Sequence, residues 1–253
     1  MHILSKIAAG LLLLVSGITA ASAEPVARIA IIIDDLGYQL TAGRRAVGLP
    51  GPVACAVLPD TPRARRLADE AHANGKEVLL HLPLQSQSPE TPLDPGGLLL
   101  DMSRGQFAAA FESSLSSVPH VVGINSHRGS LLTRHPGHMS WLMEEISSRG
   151  DFFFVDSYTT HASVALDFAH EAGVPAVKRD VFLDPEAGAE TVEREFARLK
   201  RLAHKHGLAV GIGHPYPATL ALLERELPRL ADENIELISI SELVSLKVGG
   251  GSM

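Results

Sequence analysis

The stretch ARIAIIIDDLGY, residues 27–38, decides the fold. Ile29–Ile33 is an unbroken apolar run dominated by β-branched residues, the pattern of a strand buried on both faces in a parallel sheet. Two adjacent carboxylates, Asp34 and Asp35, follow directly. A cation held at the strand end would relieve their repulsion, and a solvent-exposed turn would also tolerate them.

Moving outward, strand-like runs recur at 28–33, 53–58, 77–80, 121–124, 152–155, 175–178, 208–212 and 236–240. Helical patterns lie between them. TPRARRLADEAHANG (61–75) opens with Thr61 as N-cap and Pro62 in the first turn, and stops at Gly75. The segment 189–207 ends in basic and titratable residues and Gly207, as a helix C-terminus does. Strand and helix alternate without interruption, which predicts an α/β fold with a parallel sheet. Seven or eight such units in a chain of this size favour closure into a barrel. No Gly-x-Gly-x-x-Gly follows the first strand, which argues against a dinucleotide-binding open sheet. The longest expected loop is 82–103, rich in Pro, Gly and Ser and placed to wall a cleft.

The residues standing after each strand carry the chemistry. Asp34 and Asp35 follow the first, and His81, then Gln85, follow EVLL. Asn125, His127 and Arg128 follow VVGI; Asp156 and Ser157 follow FFFV; Arg179, Asp180 and Asp184 follow PAVK; His214 follows LAVGIG. In a parallel barrel all these points share the C-terminal rim, where such folds place their active sites. One carboxylate with two neutral imidazoles suits zinc, or else iron, manganese or cobalt, with positions left open for water and substrate. The second carboxylate of the pair is then free to act as base. His72, His120, His135, His138, His161, His170, His204 and His206 fall in helices or loops and are expected at the solvated surface.

The bulk properties narrow the setting. Lys6, the apolar stretch 7–20 and the small residues ASA at 21–23 form the pattern of a signal peptide, residues 1–23, which predicts export to the periplasm. No later stretch is long enough for a membrane span. The remaining roughly 230 residues suffice for one domain, 24–246, with 247–253 expected as a flexible tail. A net charge of −7 without any Lys/Arg run excludes a nucleic-acid partner from the expected set. The single cysteine, Cys55, rules out an internal disulfide and reads as a buried core residue.

The motifs IIIDDLG, NGKEVLLHLPLQ, GINSHRGS, FFFVDSYTT and GIGHPYPAT resemble, in order and spacing, the divergent branch of the polysaccharide deacetylases with the NodB-homology fold. The resemblance implies an irregular (β/α)7 barrel and metal-dependent removal of acetyl groups from an acetylated polysaccharide such as peptidoglycan. It makes Asp34 the catalytic base, Asp35 and His81 metal ligands, and His214 the group that protonates the leaving atom or steadies the oxyanion. It gives Asp156 the task of orienting a catalytic partner. The family's second ligand histidine lies four residues after the first, where this chain has Gln85, a poor zinc ligand. His127, at the next strand end, is expected to supply the missing imidazole to a divalent metal, zinc first. Asn125, Arg128 and Gln85 are expected to contact substrate. The competing expectation is a non-catalytic member that binds glycan or protein in maintenance of the cell envelope. A barrel phosphoesterase would need a second metal and a basic phosphate site, for which only Asp180, Asp184 and Arg179 could serve.

Overall fold

The computed structural model describes residues 26–88 and 93–249. The expected signal peptide lies outside the described residues. Nine strands form one parallel sheet among them: β1 (Ala27–Leu36), β2 (Ala54–Val57), β3 (Val78–Leu84), β4 (Val121–Arg128), β5 (Phe153–Asp156), β6 (Ala176–Lys178), β7 (Val181–Phe182), β8 (Leu208–Gly213) and β9 (Ile235–Leu237). The helices between and after them are α1 (Leu40–Val47), α2 (Ala64–Ala73), α3 (Arg104–Ser117), α4 (Pro136–Ser147), α5 (Ala165–Glu171), α6 (Ala189–His206), α7 (Pro217–Glu226) and α8 (Ile240–Gly249).

The sheet runs β6-β5-β4-β3-β2-β1-β8-β7, with β9 added to the start of β1. It curls into an incomplete parallel barrel whose ladder is open between β6 and β7. Both faces of β1 are buried, as its apolar run requires. Ile29, Ile31 and Ile33 pack outward under the helices, while Ala30 and Ile32 point into the barrel with Ala56, Leu79, Val155 and Val210. Each fully buried isoleucine contributes roughly 1.5–3 kcal/mol by leaving water.

The end of the barrel opposite the site is closed by α8. Its Ile240, Leu243 and Val244 join the inner cluster, and Glu77, just before β3, accepts the Ile240 N–H (3.0 Å) at the start of that helix. Lys247–Gly249 are therefore helical rather than tail, and Lys247 pairs with Asp180 at 3.2 Å. The expected strand at 236–240 is shorter for the same reason, because Ile240 already begins α8.

Two other local expectations change. The α2 N-cap is Arg63, not Thr61, whose hydroxyl instead donates to the Leu58 carbonyl at 3.0 Å within the preceding turn. β3 continues past His81 to Leu84, so the long loop begins at Gln85. Cys55 is buried, as expected. His138 is buried, against expectation, beside Phe107 and Trp141; the other seven histidines of that group are exposed.

Candidate functional site

A bulge in β1 answers why two carboxylates leave one strand. The pairing with β2 slips register between Ile33 and Leu36, and Asp35 takes a left-handed backbone with φ 58°. In a regular strand the two side chains would face opposite ways. The bulge brings both to the barrel mouth. His81 Nε2 lies 3.6 Å from Asp34 Oδ2 and 3.2 Å from Asp35 Oδ1. Gly37 follows at φ 134°, where a Cβ would collide with Thr61 Oγ1.

Strand alternation delivers the other groups. Asp34 continues the inward positions Ala30 and Ile32, His81 continues Leu79, and His214 continues Val210 and Ile212. β3 and β4 pair His81 with Asn125, so the amide lies between two site residues. Asn125 Oδ1 accepts from His81 Nδ1 at 2.9 Å, and its Nδ2 donates to Asp34 Oδ1 at 2.7 Å. These partners place the His81 proton on Nδ1 and leave the Nε2 lone pair free. His127 Nε2 donates to Asp94 Oδ2 at 3.0 Å, which leaves its Nδ1 lone pair free.

Those two lone pairs and Asp35 Oδ1 face one another. His127 Nδ1 is 2.9 Å from Asp35 Oδ1 and 3.0 Å from His81 Nε2. Asp35 Oδ1 is buried and accepts no hydrogen bond. In the neutral tautomers that those outer partners set, a triangle of acceptors this tight fits a cation with ligand bonds of about 2.0–2.2 Å. Among the described residues, Asp35, His81 and His127 form the group that could hold a metal ion. The outward nitrogen of each imidazole is tied to an acceptor, the usual arrangement behind a metal-bound histidine.

His214 stands across the mouth. β8 sets Gly213 beside Ile33, and Asp184 fixes the ring, its Oδ1 accepting from His214 Nδ1 at 2.9 Å. Asp184 Oδ2 accepts the His214 backbone N–H (2.7 Å) and the Thr219 hydroxyl (2.6 Å). His214 Nε2 remains, 3.6 Å from Asp35 Oδ2.

The charges follow the packing. Burial pushes the Asp34 carboxyl above its ordinary pKa, against the pull of His81 and His214. Burial also works against the charge on Asp35, but in the metal-free chain hydrogen bonding and charge from protonated forms of the His127 and His81 imidazoles outweigh it and hold that carboxyl below its usual range. Burial resists protonation of His214, yet Asp184 and the two aspartates of β1 raise it to about 9.

Asp34, His81 and His214 open onto a chamber of about 170 Å³ walled by Ile212, Phe182 and Arg179. Arg128 lines it too, its guanidinium 3.4 Å from Asp94. Two expected site residues lie elsewhere. Asp156 continues the outward position of Phe154, and its carboxylate accepts the Tyr158 N–H (2.8 Å) and the Ser163 hydroxyl (2.7 Å), which shapes the loop after β5. Gln85 Oε1 accepts the Leu100 N–H at 2.7 Å and anchors the long loop. Asp180 accepts the Val210 N–H at 2.8 Å and ties strands together, so it supplies no second metal position. Asp94 and Tyr38 were not legible as site residues: Tyr38 donates to Asp94 Oδ1 at 3.2 Å, behind His127. The only signal for Asp94 is its place in the loop expected to wall a cleft, and Tyr38 stands three residues after Asp35.

Residues 31–244 match the model of the divergent polysaccharide deacetylases, and the chain belongs to that family. The uncharacterised protein YibQ of Escherichia coli K12 is 36% identical over 218 residues, which is 86% of this chain and 67% of YibQ. The uncharacterised protein ATU2773 of Agrobacterium tumefaciens C58 superposes with a TM-score of 0.83 at 23% identity, over 88% of this chain and 91% of that one. A variant of the peptidoglycan deacetylase PdaC of Bacillus subtilis superposes at 0.54 with 10% identity, over 91% of this chain and 96% of that one, a likeness of fold. No helix among the described residues is long and apolar enough to cross a membrane.

Proposed function

We propose that this protein is an exported, metal-dependent carbohydrate deacetylase acting on an acetylated envelope glycan such as peptidoglycan, in the periplasm. One observation carries the reading: the Asp35–His81–His127 acceptor triangle is flanked on one side by a carboxylate and on the other by an imidazole, each already oriented by its own partner. Zinc is the first choice for the triangle, since its two nitrogens and one oxygen match a catalytic zinc set.

When bound, a divalent cation there supplies positive charge that polarises the acyl carbonyl and water, and it favours the ionised form of Asp34. Asp34 Oδ2, with Oδ1 held by Asn125, takes the proton of the attacking water. As the water oxygen bonds to the acyl carbon and the carbon–nitrogen bond breaks, His214 Nε2 gives its proton to the leaving amine. That proton is present on the imidazolium form, which Asp184, accepting from Nδ1–H, favours and orients. The chamber beside these groups, with Ile212 and Phe182 on its wall, suits a short acyl group.

A binding protein without catalysis would also keep a cleft, and the Gln85 substitution favoured it at the level of sequence. The structure weakens that argument, because His127 supplies an imidazole to the triangle. The test is acetate release from acetylated peptidoglycan or chitin fragments. Release that stops on chelation and returns with zinc supports the proposal; release unaffected by chelation contradicts it.

A further inference from the structure

We propose that the chamber beside Asp34 and His214 is a carboxylate pocket, in which Arg179 and the hydroxyls of Ser126 and Ser157 hold an acid group of the substrate, so that the protein selects acyl substrates that carry a carboxylate. This rests on the deacylation reading above and specifies its substrate further. The chamber measures about 170 Å³, more than a two-carbon acyl group fills. Beside Ile212 and Phe182, its wall carries Arg179, Ser126 and Ser157.

Arg179 is a half-buried cation without an ion pair among the described residues. The carboxylates of Asp34 and Asp156 act on it only through space. Asp34 Oδ1 is held by Asn125, and the Asp156 oxygens are taken by the Tyr158 N–H and the Ser163 hydroxyl. A guanidinium drawn partly out of water needs a compensating partner, and a substrate carboxylate supplies one. The side chain is already set for it. Nε donates to the Ser157 carbonyl at 2.7 Å and Nη2 to the Tyr158 carbonyl at 3.2 Å, and the guanidinium carbon lies 4.8 Å from the centre of the Phe182 ring. These contacts leave the Nη1 N–H groups for an acceptor, and a guanidinium fixed in advance loses little freedom on binding.

Ser157 points the same way independently. Its Oγ is buried in this wall and has no hydrogen-bond partner, a cost that a ligand can remove. Ser126 Oγ accepts the Ser157 N–H at 3.1 Å, so its own hydroxyl proton is left to donate. A fixed guanidinium with two spare hydroxyls matches the paired oxygens of a carboxylate, whereas a wholly apolar acyl chain leaves them unpaired. Arg128, also on the wall, is engaged by Asp94. The carboxylate can stand at the end of the acyl group or on the sugar beside it, since both lie a few bonds from the scissile carbonyl.

The test is binding, not turnover. Zinc-loaded Asp34→Asn protein is titrated with N-acetylglucosamine, with N-acetylmuramic acid (carboxylate on the sugar) and with N-succinylglucosamine (carboxylate ending the acyl group). At least one acid should bind roughly tenfold or more tightly than the neutral sugar, and the one that does locates the carboxylate. Adding Arg179→Gln should lower that affinity roughly tenfold or more, and adding Ser157→Ala roughly 3–10-fold, with affinity for the neutral sugar unchanged. These substitutions separate the pocket from the zinc ion, which attracts an acid whatever stands at 157 or 179. Ser157→Ala removes an atom without a partner in the fold, so it carries the test even where Arg179→Gln fails to fold. Acids that bind no tighter than the neutral sugar, undetectable binding of all three, or a preference left intact by either substitution would each overturn the proposal. If the preference holds while wild type releases no acyl group from any of the three, the pocket stands and the catalytic reading falls.

Discussion

Asn125 and Asp34 are 91 residues apart in sequence and 2.7 Å apart in space, the amide Nδ2 donating to the carboxylate Oδ1. The same amide accepts from His81, so one neutral side chain fixes both a candidate base and a candidate metal ligand. Asn125→Ala should weaken zinc binding roughly 10–100-fold, the usual effect of removing a group that orients a ligand. Competition with a chromogenic chelator measures it. Unchanged zinc affinity would show that His81 needs no such support.

His127 and Gln85 should behave oppositely. His127→Ala removes one corner of the triangle and should abolish stoichiometric zinc, because two ligands hold it poorly. Gln85→Ala loses a hydrogen bond to Leu100 and should cost about 1 kcal/mol of stability while keeping its metal. Elemental analysis with urea unfolding distinguishes them. Full zinc occupancy in His127→Ala would remove that residue from the metal centre.

The His214–Asp184 pair predicts a pH dependence in the metal-free chain. A histidine raised on folding to about 9 stabilises the fold fully below its unfolded value near 6.5. That contribution disappears as pH rises through about 9. Asp184→Asn removes the partner, so wild type and variant should differ most in stability at pH 6 and converge toward pH 9.5. Urea midpoints across that range measure it, and a gap that stays constant with pH would count against the pair as a source of stability.

Cys55 should be inert. It is buried in the barrel wall, and burial pushes its thiol up to about 12. Native protein at pH 8 should not react with a disulfide reagent over hours, whereas unfolded protein should consume one equivalent. Prompt labelling of native protein would mean that β2 opens locally.

Much of this was legible before the structure. The apolar run at 29–33 identified a parallel strand, and the placement of Asp34, Asp35, His81, His127 and His214 after strand-like runs located them on one rim. The direction of each side chain was harder to read. A strand buried on both faces shows no alternation, so FFFVD does not reveal that Phe153 and Val155 face inward and Asp156 outward. The bulge that turns Asp35 beside Asp34 is likewise a backbone event that composition does not signal. Asp184 was visible only as a carboxylate after a strand; its service to His214 depends on a contact across 30 residues. Asp94 reaches His127 from a loop whose path follows from tertiary packing.

The central claim is that Asp34 removes a proton beside a bound metal. Asp34→Asn keeps the shape of the side chain while removing its charge and its capacity to accept the proton. With wild type and variant loaded to the same zinc content, acetate release from acetylated peptidoglycan fragments is the most direct measurement. The account predicts measurable release by wild type and a loss of roughly 10²–10⁴-fold in the variant. Equal rates in the two, or no release from wild type, would contradict it.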